Sequence, residues 1–138
     1  MIVLDSSILV AIIKFEEAAT RLLDVLAAED CVLGAPTLVE TRLWCATNLP
    51  ERSSFWLEGL VEGQGVSIIP FGREMADAAS DAFAKFGKAS GHPAKLNFGD
   101  CMAYAISAAL RAPLFFKGND FGHTDVMAHP ASIRTGSA

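Results

Sequence analysis

The chain opens on a short apolar run, Ile2-Val3-Leu4, that stops at Asp5. Consecutive apolar residues without alternation mark a strand buried on both faces, as in a parallel sheet. Ser6 and Ser7 suit the start of a helix carrying Ile8, Leu9, Ala11, Ile12 and Ile13, and a second helix follows through Leu22, Leu23, Val25 and Leu26. Cys31-Val32-Leu33-Gly34 predicts the next strand, and Pro36 suits the first turn of a helix through Leu38, Val39, Leu43 and Trp44. The rhythm continues with a helix from Pro50 to Glu62, its apolar side at Phe55, Trp56 and Leu60, then a strand at 66–70. Met75, Ala79 and Phe83 mark another helix by their spacing, a loop containing Gly and Pro follows, and an Ala-rich helix begins near Asp100. Leu114-Phe115-Phe116 supplies a fourth strand, and a last short strand is expected around Val126. Such alternation predicts an α/β fold, a three-layer α/β/α arrangement around a central, mainly parallel sheet of four to five strands.

Composition narrows the class. At 138 residues, 51% of them hydrophobic, the chain fits one domain, expected over residues 1–133 with a frayed tail at 134–138. No apolar run approaches the ~20 residues of a membrane span, and the opening segment lacks a signal peptide's pattern. Cys31, Cys45 and Cys101 are widely spaced and odd in number, which supports neither a disulfide framework nor a CxxC zinc site. A cytoplasmic protein with its cysteines in the core is the expectation.

The net charge of -5 argues at first against a nucleic-acid partner. Its distribution changes that picture. Lys85, Lys88, His92 and Lys95 crowd one loop that leads directly to Asp100, while Asp5, Glu40, Asp100 and Asp120 all sit where a secondary-structure element starts or stops. Asp5 and Asp120 follow strands, and Glu40 and Asp100 are expected in the first turns of their helices, so all four converge on the carboxyl edge of a parallel sheet. Converging carboxylates repel unless protons or a cation offset the charge, and oxygen-only ligands suit a hard cation, Mg²⁺ or Mn²⁺.

Each acid also has a purely structural account. Asn97 with Asp100 resembles a capping box, Asp5 suits a helix cap, and Asp120 fits a turn beside Gly118 and Asn119. Ser6 and Asn119 adjoin two of the acids and are candidates to orient a ligand or its water, and Arg42 and Lys117 are candidates for touching a phosphate. His92, His123 and His129 lack the spacing of a zinc helix, and no GxxxxGK[ST] loop occurs, which weighs against an ATPase.

Four stretches, Ile2-Val3-Leu4-Asp5-Ser6-Ser7, Pro36-Thr37-Leu38-Val39-Glu40, Gly87 through Asn97-Phe98-Gly99-Asp100, and Leu114 through Lys117-Gly118-Asn119-Asp120-Phe121 to Asp125, resemble PIN-domain proteins. They look most like the VapC group, ribonuclease toxins of VapBC toxin–antitoxin systems, over nearly the whole chain. The resemblance implies a PIN-like fold and a Mg²⁺-dependent endoribonuclease that hydrolyses RNA by metal-activated water, with Asp5, Glu40, Asp100 and Asp120 as catalytic and metal-binding acids. Many relatives carry the fourth acid at the position held here by Asn119, and Asp125 is its nearby alternative. A homodimer and a cognate VapB-like antitoxin, whose tail enters the acidic site, are further implications. Two other readings stay open: a PIN-like binding module without activity, and an α/β phosphatase or phospho-acceptor domain. Phosphatases of that kind want a second Asp two residues after the first, where this chain has Ser7.

Overall fold

The computed structural model describes residues 1–51 and 53–134, so residues 135–138 of the expected tail lie outside the described residues. Four strands, β1 (Ile2–Leu4), β2 (Cys31–Gly34), β3 (Ser67–Ile69) and β4 (Leu114–Phe115), form one parallel sheet in the order β3-β2-β1-β4. Val3 pairs with both Val32 and Leu114, so β1 lies inside the sheet. The chain from 127 to 133 runs beside β4 in place of a full fifth strand. Leu114 N–H donates to Met127 O at 2.8 Å, and Ile133 N–H donates to Phe116 O at 2.9 Å.

Alternate residues of β1, β2 and β4 enter opposite cores, which explains why these strands read as continuous apolar runs, while β3 is a largely exposed edge strand. Ile2, Leu4, Cys31, Leu33 and Phe115 pack against α1 (Ser6–Ile13), α2 (Ala19–Ala28), α3 (Ala35–Asn48) and α4 (Ser53–Gly63). Val3, Val32, Leu114 and Phe116 face α5 (Arg73–Phe86) and α6 (Phe98–Leu110). This is the expected three-layer α/β/α arrangement. Gly34 lets α6 lie directly on the sheet, because a Cβ there would stand 2.0 Å from Ile106 Cδ1. All three cysteines are buried.

Of the two caps open to α1, Asp5 takes the role and Ser6 and Ser7 do not. Two helix faces differ from expectation. On α4 the core-facing residues are Leu57 and Val61, whereas Phe55 and Trp56 are exposed. On α5 the buried positions are Ala79, Ala82 and Phe86, which turns Phe83 outward.

From β1 the sheet grows through β2 to β3 in one direction, then β4 adds on the other side of β1. Connections on either side of that reversal diverge at the carboxyl ends of β1 and β4 and leave a crevice between them. Asp5 follows one of these strand ends, and Asp120 follows the other by five residues.

Candidate active site

Asp5 is only 5% exposed and accepts two hydrogen bonds on Oδ2, from Ser7 N–H at 3.1 Å and from the Ser7 hydroxyl at 2.5 Å. The Ser7 hydroxyl oxygen in turn accepts Lys117 N–H at 3.0 Å, just past β4. One serine therefore orients the Asp5 carboxylate and ties it to the opposite wall of the crevice. The sequence pointed to Ser6 instead, whose hydroxyl lowers the Glu40 carboxyl pKa against the rise from burial.

Asp100 is 8% exposed and is the third residue of α6. The anticipated capping box is present: Asp100 N–H donates to Asn97 Oδ1 at 2.8 Å, and Asn97 N–H donates to Asp100 Oδ2 at 3.0 Å. Glu40 was expected in the first turn of its helix. Because α3 begins at Ala35, straight from the end of β2, Glu40 falls in the second turn. It reaches the first turn of α6, where a Cβ on Gly99 would stand 1.7 Å from Glu40 Oε2. Only a glycine leaves room for the carboxylate in that position.

Electrostatics join the four acids. Burial raises the Asp5 carboxyl above its usual range, Asp120's charge adds to the rise, and the Ser7 bonds oppose it. Glu40 is raised by burial and by Asp5. Asp100 is pushed up to about 7, chiefly by burial and further by the charges of Asp120, Asp5 and Glu40, against the opposing Asn97 bond. Asp125 is not one of these perturbing charges; its Oδ1 accepts the Tyr104 hydroxyl at 2.5 Å. Asp120, exposed in the turn where Gly122 N–H donates to Asn119 O at 3.2 Å, is the fourth member of the charge-coupled set.

A pH dependence follows. Unfolded, Asp100 ionises near its ordinary 3.8, and folded near 7, so between these values the native state holds more protons. Without divalent cations, stability therefore falls as pH rises through that window, and Asp5 and Glu40, also raised, act in the same direction. In EDTA the melting temperature should be higher at about pH 5 than at about pH 7.5. A metal-free protein that gains stability over that interval would contradict the coupling.

A family model, the PIN domain, matches residues 2–127. The chain belongs to the PIN-domain family. Within that family it is a VapC-type chain. It is similar to Ribonuclease VapC28 of Mycobacterium tuberculosis, 39% identical over 125 residues that cover 90% of this chain and 94% of the relative. Ribonuclease VapC42 of the same species is 34% identical over 129 residues, covering 90% and 95%. Among solved structures, a toxin–antitoxin complex from Klebsiella pneumoniae has a similar fold at TM-score 0.71 and 16% identity, covering 96% of this chain and 100% of that one. VapBC2 from Rickettsia felis, bound to a DNA fragment from its promoter, has a TM-score of 0.68 at 18% identity and covers 97% of each chain.

In this PIN domain the two cations singled out for phosphate contact are engaged elsewhere. Arg42 Nε donates to Glu58 Oε1 of α4 at 2.6 Å, and the Lys117 ammonium pairs with Glu16, which also lies 3.6 Å from Lys14. The exposed basic side chains leading to the site are Lys85, Lys88 and Lys95, with His92 half-buried edge-on to Phe86. Cation fit is tested best by Glu40. Its Oε1 is buried with no hydrogen-bond partner in the protein, as is Thr37 Oγ1 one turn earlier on α3. Such an oxygen calls for a partner, which a cation or its water would supply. Among the described residues no group of three or more His, Cys, Asp or Glu side chains is gathered closely enough to hold a metal ion by itself. A cation held by these carboxylates would have to keep several of its waters, as Mg²⁺ does.

Proposed function

We propose that this chain is a Mg²⁺-dependent endoribonuclease acting as the toxin of a toxin–antitoxin pair. The observation that carries the reading is the four-acid set at the β1/β4 crevice, three of whose carboxyls are raised by burial and mutual charge while Glu40 Oε1 has no protein partner. The ribonuclease names of the curated relatives support it.

Asp5, Glu40, Asp100 and Asp120 are the residues that would hold the ion. When bound, Mg²⁺ supplies Lewis-acid polarisation of a phosphodiester and lowers the pKa of water, which makes a nucleophile without a 2′-hydroxyl. The protein's part is positional. Ser7 and Asn97 fix Asp5 and Asp100 in single orientations, and Gly99 keeps Glu40 against the start of α6. The helix N-terminus there favours negative charge, so it supports both Asp100 and an incoming phosphate.

Two partners belong to the same proposal: a VapB-like antitoxin, supported by the antitoxin complexes among the structural neighbours, and a second copy of the chain. No helix among the described residues is long and apolar enough to cross a membrane. A cytoplasmic place of work belongs to the same proposal, since that is where its RNA would be met.

The test is cleavage. Purified protein freed of any partner should cut single-stranded RNA with Mg²⁺ and stop on addition of EDTA; cutting that persists in EDTA would sink the mechanism. Binding alone offers a second readout. Mg²⁺ at about 100 times its Kd should stabilise the fold by about 2.7 kcal/mol, a rise in melting temperature of about 10 °C. A melting curve indifferent to Mg²⁺ and Mn²⁺ would leave the four acids as unconnected structural groups.

A further inference from the structure

Beside the acids lies an apolar cleft of about 620 Å³, walled by Pro36, Phe71, Ala79, Phe83, Phe98 and Met102. Phe98 is 76% exposed and Phe83 41% exposed, although both rings have an apolar cleft to line. Phe98 is the first residue of α6, immediately before Gly99 and Asp100, and Pro36 stands four residues before Glu40 on α3. The cleft and the acid site are thus built on the starts of the same two helices. Lys85 in the last turn of α5, and Lys88 and Lys95 in the loop that leaves α5 after Phe86 and enters α6 at Phe98, are all exposed.

Resting on the nuclease reading of the adjacent acids, we infer that this cleft seats an unpaired nucleobase of the RNA next to the scissile phosphate. Phe98 is the stacking platform, and the loop lysines meet the flanking phosphates. Aromatic rings beside a basic track are how proteins hold single-stranded nucleic acid. Polar groups in the cleft are few: the Ser80 hydroxyl already donates to Ala76 O at 2.9 Å, and Cys101 offers a buried thiol. A base is therefore held by its face and not read by its edges. The site selects for single strands over duplexes, where that face is covered, and contributes little to the choice among the four bases. Charge favours RNA over a second copy of the chain as occupant. A two-fold interface here would bring each copy's lysine loop near the other's, whereas a polyanion neutralises the loop.

The experiment uses a short single-stranded oligoribonucleotide containing 2-aminopurine, whose fluorescence is quenched on stacking, with Ca²⁺ replacing Mg²⁺ to neutralise the acids. The wild-type protein should bind and quench. Phe98→Ala should weaken binding by about 10-fold or more with an unchanged melting temperature, Phe98→Tyr should restore it, and Phe98→Leu, which keeps bulk without a π face, should not. The same sequence as a duplex should bind wild type and Phe98→Ala alike. Absence of quenching by the wild type, or equal binding by Phe98→Ala, overturns the base site, and Mg²⁺-dependent cleavage then still stands for the nuclease reading. Phe98-dependent binding without any cleavage in Mg²⁺ keeps the base site and removes that reading. If Phe98→Ala dissociates a dimer in sedimentation while RNA binding is untouched, the cleft is an interface between copies and the inference is wrong.

Discussion

Asp100→Asn is expected to leave a folded protein whose Mg²⁺-dependent RNA cleavage falls by about a hundredfold or more. Asp100 has two duties that this substitution separates. One is local: its Oδ2 accepts Asn97 N–H at 3.0 Å and completes the cap of α6. An asparagine oxygen can accept the same bond, so the helix start survives. The other is electrostatic, and here Asn removes a carboxylate pushed up to about 7 by burial and three neighbouring acids. Above pH 7 without cations the variant should melt higher than the wild type, because a buried charge is gone, and Mg²⁺ should stabilise it less. Asp100→Ala removes both duties and should in addition cost about 0.5–2 kcal/mol from the lost cap. An Asp100→Asn protein that cleaves RNA at the wild-type rate would take Asp100 out of the reaction.

Gly99→Ala should reproduce the loss of activity of Glu40→Gln, at least tenfold and on the order of a hundredfold, with little loss of stability. Ordinarily alanine is the better helix former by up to ~1 kcal/mol, so this exchange in the first turn of α6 would be harmless or stabilising. Here the added carbon would stand 1.7 Å from Glu40 Oε2 and 2.5 Å from its carboxyl carbon. What must give is the end of a flexible side chain, so the carboxylate swings aside and the fold adjusts without a backbone shift. Activity is then lost through Glu40. Combining Gly99→Ala with Glu40→Gln should cost little more than either alone, since both remove one carboxylate from one place. Full activity in Gly99→Ala would mean that Glu40 acts from some other position or not at all.

Much of the fold was legible because its strands are short, apolar and non-alternating; Cys31–Gly34 was delimited to the residue. Asp5, Asp100 and Asp120 stand out for a related reason, since each lies at or just past the end of an element, whereas Glu40 lies in the second turn of α3. What was not legible depends on contacts between distant parts of the chain. Glu58 takes up Arg42 from 16 residues away and Glu16 takes up Lys117 from 101 away, and nothing local marks either pair. The helical register of Glu40 was missed because Gly34 caps α3 without a polar side chain to announce the start. Phe55 and Trp56 were expected on the apolar side of their helix with Leu60, but the turn of α4 presents Leu57 and Val61 to the core. Gly99 left a sequence signal, a glycine just inside a helix where alanine is otherwise abundant. The signal has meaning only once α3 is known to bring a carboxylate there.

The place of β4 in the sheet has a consequence for how a new chain comes to life on the ribosome. Asp5 is made well before β4, yet its own N–H donates to Phe115 O at 3.0 Å, and the serine that orients it is held by Lys117 N–H. Until that last strand has been synthesised and added beside β1, the earliest acid has no fixed position and the fourth does not exist. Premature products that end before residue 114 lack the means to assemble the crevice. A chain of this design acquires its candidate site only once β4 has been made and has joined β1.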